Sequence, residues 1–172
     1  AVVLLTDITT GGPEHAARRT PVVCRNTILV TALAAIGGAI VSPLIIPLIF
    51  TTDFDDAVLP FICLLPGAVA LAGGKILAAY VFSRGRPMIN AWIGVATLVV
   101  TVLADLALIP LFGVPGAAAG SSIAYFVSLA LTAIAYRRLS GNSIADALLP
   151  RRDDAVLYVH GVRSLLARLP GR

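Results

Sequence analysis

Residues 64–87 read LLPGAVALAGGKILAAYVFSRGRP. The run is apolar almost throughout, yet it carries Lys75, the only lysine of the chain. All other members of the 13 Lys+Arg residues are arginines, so Lys75 does not reflect a general use of lysine. An ionisable side chain inside a membrane-length apolar segment is costly and demands a partner, a cavity or an interface. The run closes on Ser83-Arg84-Gly85-Arg86-Pro87, a short basic turn. An apolar helix with one embedded cation and a basic exit is the feature that the rest of the chain must accommodate.

Composition sets the solvent. The 172 residues are 58% hydrophobic and 13% charged, whereas a soluble domain is about 25% charged. So few charges do not cover a water-facing surface, and the composition is that of a membrane protein. Aromatics make up only 6%. The apolar mass is therefore aliphatic, much of it small, which suits close helix packing in lipid. The chain opens at Ala1, and residues 2–5 read as the end of a preceding helix in a longer protein. Nothing resembles a secretory signal. Cys24 and Cys63 stand singly, without the spacing of a disulfide framework or a zinc site. The Gly11-Gly12-Pro13 break lacks the Lys-Ser/Thr of a phosphate-binding loop. With no nucleophile–base pair and no metal cluster, neither an enzyme, a metal nor a cofactor is expected, and nothing suggests nucleic acid.

Four spans follow from the apolar runs. A hydrocarbon core of ~30 Å needs ~20 helical residues. Residues 1–25 read as a polar connector that ends at Arg18, Arg19 and Arg25. The first span, 26–50, carries no charge but includes Gly37-Gly38, Pro43 and Pro47. The acidic turn TTDFDD leads to a second span at 57–82, with Pro66-Gly67 inside it. The third, 87–109, contains Asp105 near its far end. PLFGVP is an uncharged turn before the fourth, 116–136. Residues 139–172 form a basic tail. Its 153–169 stretch has apolar residues near helical spacing, which fits an amphipathic helix on the membrane surface or a mobile tail drawn to anionic lipid.

The basic residues alternate. Arg18, Arg19 and Arg25 precede span one, Arg84 and Arg86 separate spans two and three, and Arg137 and Arg138 follow span four. The other two turns carry no Lys or Arg. By the positive-inside rule, both ends and the middle turn are cytoplasmic and the protein is multi-pass in the cell membrane.

Each candidate residue has a functional and a structural reading. Lys75 lies roughly 10 Å from the cytoplasmic end of its helix. Its amine either snorkels to the interface or lines a polar cavity and meets an anionic substrate group. Arg84 and Arg86 suit a phosphate, and also satisfy the topology rule unaided. Asp105 is a candidate for ion coupling, or a carboxylate capped by polar neighbours and interfacial water. Gly116 and Gly120 form a G-x-x-x-G face for helix packing. Trp92 fits an interfacial anchor. His15 and His160 read as surface residues.

The order of features resembles a known family. TTDFDDAVLPFICLLPGAVAL, then GKILAAYVFSRGRP, then VVTVLADLALIPLFGVPGAAAGSSIAYFVSLALTAIAYRRLSG are similar to the C-terminal part of polysaccharide (O-antigen and teichoic-acid type) flippases. These belong to the multidrug/oligosaccharidyl-lipid/polysaccharide exporter superfamily. The resemblance implies an all-α integral membrane fold, with these four helices forming part of the second of two bundles around a central cavity. It implies alternating access, a lipid-linked sugar as cargo, and an N-terminal bundle of the same protein as partner, alongside membrane lipids. A cationic wall at Lys75 suits the pyrophosphate of such a cargo. Two other readings stand beside it: a cation-coupled small-molecule exporter, and a non-transporting four-helix scaffold.

Overall fold

The computed structural model describes residues 12–50 and 52–149. Helix α1 spans Gly12–Phe50, α2 Val58–Ser83, α3 Pro87–Phe112, α4 Val114–Ser140 and the short α5 Ile144–Leu148. A 3-10 helix, Thr52–Ala57, joins α1 to α2. No strand occurs among the described residues. The stretches Arg19–Ile49, Phe54–Ser83, Pro87–Phe112 and Val114–Ser140 are each long and apolar enough to cross a membrane. The chain is an all-α integral membrane protein. In lipid each backbone N–H and C=O must be satisfied within its own segment, and helices achieve this.

The element limits differ from those read off the sequence. Residues 12–25, expected as a connector, are helical and continuous with the first span. Pro13 falls in the opening turn of α1, where its missing N–H costs nothing. Pro21, Pro43 and Pro47 lie inside α1 without ending it. The 39 residues of α1 extend ~58 Å at 1.5 Å per residue, well beyond a ~30 Å hydrocarbon layer. Helix α3 likewise runs past the expected stop at Ile109, with Pro110 inside its last turn. Only two helical residues follow Pro110, so the disruption stays local. The expected PLFGVP turn shrinks to Gly113, at φ 61°. Its N–H donates to Ile109 O at 2.8 Å, and Pro115 lies in the first turn of α4.

Helix α4 is the centre of the bundle. It packs along both α2 and α3, whereas α2 and α3 barely touch each other; α1 packs on α2. Small residues permit the approach. A Cβ at Gly67 would lie 2.6 Å from Ser122 Cα, and one at Gly120 would lie 2.8 Å from Asp105 Oδ1. A Cβ at Gly116 would collide with the Leu108 carbonyl of α3. Ser122 Oγ also donates to Cys63 O at 2.6 Å. That carbonyl neighbours the one at Ile62, which Pro66 leaves without its usual N–H.

The buried cluster lies at one end. Cys24, Leu77, Tyr80, Ala133, Tyr136 and Ala147 form it. Tyr80 and Tyr136 meet edge to face, with centroids 4.9 Å apart, a favoured aromatic geometry. Residues 139–149 fold back onto this end rather than leaving as a tail. Gly141 caps α4 in the left-handed region, its N–H donating to Arg137 O. Ser143 Oγ accepts from Ala145 N to start α5. Ala147 is buried as α5 packs on α1 and α4. The amphipathic segment expected at 153–169 lies outside the described residues.

These contacts set a test of the packing. Gly116→Val is expected to destabilise the helix bundle by about 1–3 kcal/mol, the usual cost of overpacking. Gly37→Ala, where a Cβ meets nothing within 4 Å, is expected to be nearly neutral. Unfolding of both variants in mixed micelles, followed by circular dichroism, compares them.

Candidate functional site

Because α2 and α3 each lean on α4 but touch one another only lightly, a cleft of about 130 Å³ opens between the three. Lys75 of α2, Asn90 of α3, and Tyr125, Ser128 and Thr132 of α4 contribute its polar lining. Gly74 and Gly94 leave room for it. Asn90 Nδ2 donates to Ala78 O at 2.9 Å, tying the start of α3 to α2. Thr132 Oγ1 donates to Ser128 O at 2.7 Å. Lys75 is exposed and makes no hydrogen bond or ion pair among the described residues. It lies eight residues before the end of α2 at Ser83, roughly 12 Å along the axis.

The lysine was visible in the sequence; its polar neighbours were not singled out. Their signal was present on α4, where Tyr125, Ser128 and Thr132 recur at three- and four-residue steps, one face of a helix. Asn90 offered no such pattern, because its meaning depends on how α3 leaves the turn after Arg86.

Asp105 is elsewhere. It lies seven residues before the end of α3 at Phe112, roughly 10 Å from that end, deeper than the sequence reading placed it. Its Oδ1 is sealed from solvent with no hydrogen-bond partner among the described residues. Gly120 of α4 presses against it. Lys75 is near the basic end of the bundle and Asp105 near the opposite end, so the two are not brought together.

The basic residues share one end. Arg84 and Arg86 are exposed in the turn between α2 and α3. Arg84 lies over the Tyr80 ring, 5.8 Å from its centroid. Arg137 and Arg138 occupy the last turn of α4. Arg25, expected as an interface marker, is instead buried, with 7% of its surface exposed. Its Nη1 donates to Asp146 O at 3.0 Å, holding α5 to α1. At the other end Asp55 and Asp56 line a hollow of about 700 Å³ with Val114 and Pro115. A second hollow of about 710 Å³, nearly all apolar, lies between Gly37, Gly38 and Ile45 of α1 and Phe54 and Phe61. No group of three metal-ligating side chains occurs among the described residues.

The family described as Lipid II flippase MurJ matches residues 12–155. The match covers most of the chain, including the cleft, the basic end and Asp105. The chain belongs to the lipid II flippase MurJ family. Searches of curated proteins and of solved structures return no match. The family is one of membrane flippases for lipid-linked precursors, transporters rather than enzymes. The sequence resemblance had pointed to such a flippase of the polysaccharide type. The family match supports the flippase and the superfamily, and it does not extend to that type.

The joint at the basic end can be tested through Cys24, which is fully buried with its Sγ against Gly73 O. Arg25→Met removes the hydrogen bond to Asp146 O and is expected to loosen α5. Labelling of Cys24 by a membrane-permeant maleimide should then rise several-fold over the wild-type rate, read by mass spectrometry. An unchanged rate would show that the Arg25 hydrogen bond does not hold α5 in place.

Proposed function

We propose that this chain forms part of a flippase that carries a lipid II-type precursor, an isoprenoid pyrophosphate bearing sugar, across the cell membrane by alternating access. The observation that carries the reading is the family match over residues 12–155. The polysaccharide cargo suggested by the sequence shares the isoprenoid pyrophosphate, so the two readings differ in the sugar and not in the charge to be moved. An N-terminal bundle of the same protein completes the cavity in this reading.

The orientation places the arginine-bearing end in the cytoplasm. Arg84, Arg86, Arg137 and Arg138 at one end and Asp55 and Asp56 at the other support it. Lys75 then stands in the cytoplasmic half, where a precursor made inside the cell first enters. Lys75, with Arg84 and Arg86 below it, contacts the anionic part of the cargo. Asp105 serves ion coupling: one of its carboxylate oxygens is sealed within the bundle without a hydrogen bond among the described residues, and intramembrane ionisable groups mark ion pathways.

Three outcomes are expected. Lys75→Ala should cut precursor translocation at least ten-fold in a reconstituted assay while membrane insertion, judged by yield in the membrane fraction, is unchanged. Asp105→Asn should abolish the dependence of transport on an imposed cation or proton gradient. A cysteine introduced at Asp55 should react with an impermeant thiol reagent from outside intact cells; reaction only after lysis would reverse the orientation.

A further inference from the structure

We infer that the cleft between α2, α3 and α4 is a seat for a single phosphate carried on a membrane lipid, with Lys75 as its counter-charge. The inference rests on the flippase reading only in placing the cleft in the cytoplasmic half of the bilayer. Its chemistry comes from the lining. Lys75 brings three N–H donors and a positive charge, and the hydroxyls of Tyr125 and Ser128 bring one donor each. Neither hydroxyl is hydrogen-bonded among the described residues, and no carboxylate lines the cleft. Asn90 Oδ1 is an acceptor but is sealed from solvent; the remaining groups offer donors around one cation, with no anion among them, an arrangement complementary to an oxyanion.

Size limits the oxyanion. The cleft of about 130 Å³ corresponds to roughly four waters at their share of liquid volume. It is well below the ~300–1,000 Å³ of pockets that hold drug-sized ligands. The cleft takes a group of about phosphate size, and whatever that group is attached to extends out of the open side. Location limits what the phosphate is attached to. Ala70, Leu71 and Ile93 form apolar wall beside the polar groups, and Lys75 is exposed rather than enclosed. The side chain starts roughly 12 Å inside the end of α2 and reaches outward along the helix by snorkelling. A phosphate presented there from the bilayer arrives with its hydrocarbon already in lipid. A lysine within an apolar span calls for a counter-charge, and the lipid phosphate supplies one where no protein carboxylate lines the cleft.

Two lipids supply this chemistry: an anionic phospholipid of the bilayer, or the pyrophosphate end of the carried precursor. The test titrates the purified protein, in zwitterionic detergent micelles, with phosphatidylglycerol, with a polyprenyl pyrophosphate and with inorganic phosphate, reading binding calorimetrically. At least one of the two lipids should bind saturably. Lys75→Gln should weaken it ten-fold or more, equivalent to ~1.4 kcal/mol, and Lys75→Arg should restore part of the loss. Tyr125→Phe and Ser128→Ala should each weaken it measurably, and they carry the test if Lys75→Gln does not fold. Preference for phosphatidylglycerol supports a bilayer lipid as occupant, and preference for the polyprenyl pyrophosphate supports the cargo. Equal affinity for inorganic phosphate, or lipid affinity unaltered in all these variants, overturns the inference. Wild-type binding without precursor transport would sink the flippase reading alone. Transport without binding that depends on Lys75 would sink this inference, together with the cargo contact at Lys75, and leave the flippase reading standing.

Discussion

The bundle depends on how closely α4 approaches its two neighbours. Between helices in lipid there is no hydrophobic driving force, because the surrounding chains are as apolar as the side chains. Association then relies on van der Waals contact and hydrogen bonds, both of which need short distances. Gly67 against Ser122 supplies that proximity to α2, and Gly116 and Gly120 supply it to α3. Ser122 adds a hydrogen bond to a carbonyl of α2 where Pro66 has thinned the internal ladder. The geometry has a consequence for chemistry. Two helices held tightly to a third, but not to each other, leave a cleft between them, and Lys75 borders it.

The two ends of the bundle are built differently. The arginine-bearing end is closed by a pair of edge-to-face tyrosines, by the buried Arg25 and by α5 folded across it. Asn142 Nδ2 donates to Tyr136 OH at 3.0 Å, so the chain leaving α4 is fastened to the same pair. The opposite end is joined where α3 turns into α4, with Gly113 N donating to Ile109 O and Gly116 against the Leu108 carbonyl. Two larger hollows open there, one between α1, the 3-10 helix and the start of α2, the other between the 3-10 helix, the start of α2 and the start of α4. In α1 the exposed apolar residues Leu33, Ile36, Ile40, Leu44 and Leu48 continue along that half.

Much of this was legible in the sequence because the strongest signals were one-dimensional. Apolar run length identifies spans in lipid, and the spacing of arginines marks the ends. The G-x-x-x-G at Gly116 and Gly120 marked a close-packed face. What the sequence obscured were effects set by context. Proline was read as a boundary at Pro110, yet within a last helical turn it forfeits little, so α3 runs on to Phe112 and the turn contracts to Gly113. The polar residues 12–25 looked like a connector, although their helix simply outruns the apolar layer. Arg25 looked like an interface charge; only the return of α5 across the bundle end reveals it as a buried clamp. The family was legible at the level of the superfamily, since its motifs here are patterns of helix packing shared among cargoes.

The two intramembrane charges differ in access, and access constrains what each can do. Lys75 borders an open cleft with unfilled hydroxyls, so a ligand with several oxygens can approach it from outside the bundle. Asp105 Oδ1 is sealed against Gly120, where even one added carbon would lie 2.8 Å away. Nor do the two charges compensate each other, since one lies near the basic end and the other near the opposite end. A direct ion pair would have made both inert, because each would already hold its counter-charge. Their separation instead leaves them in two different settings, Lys75 beside the cleft of the basic half and Asp105 against α4 in the other.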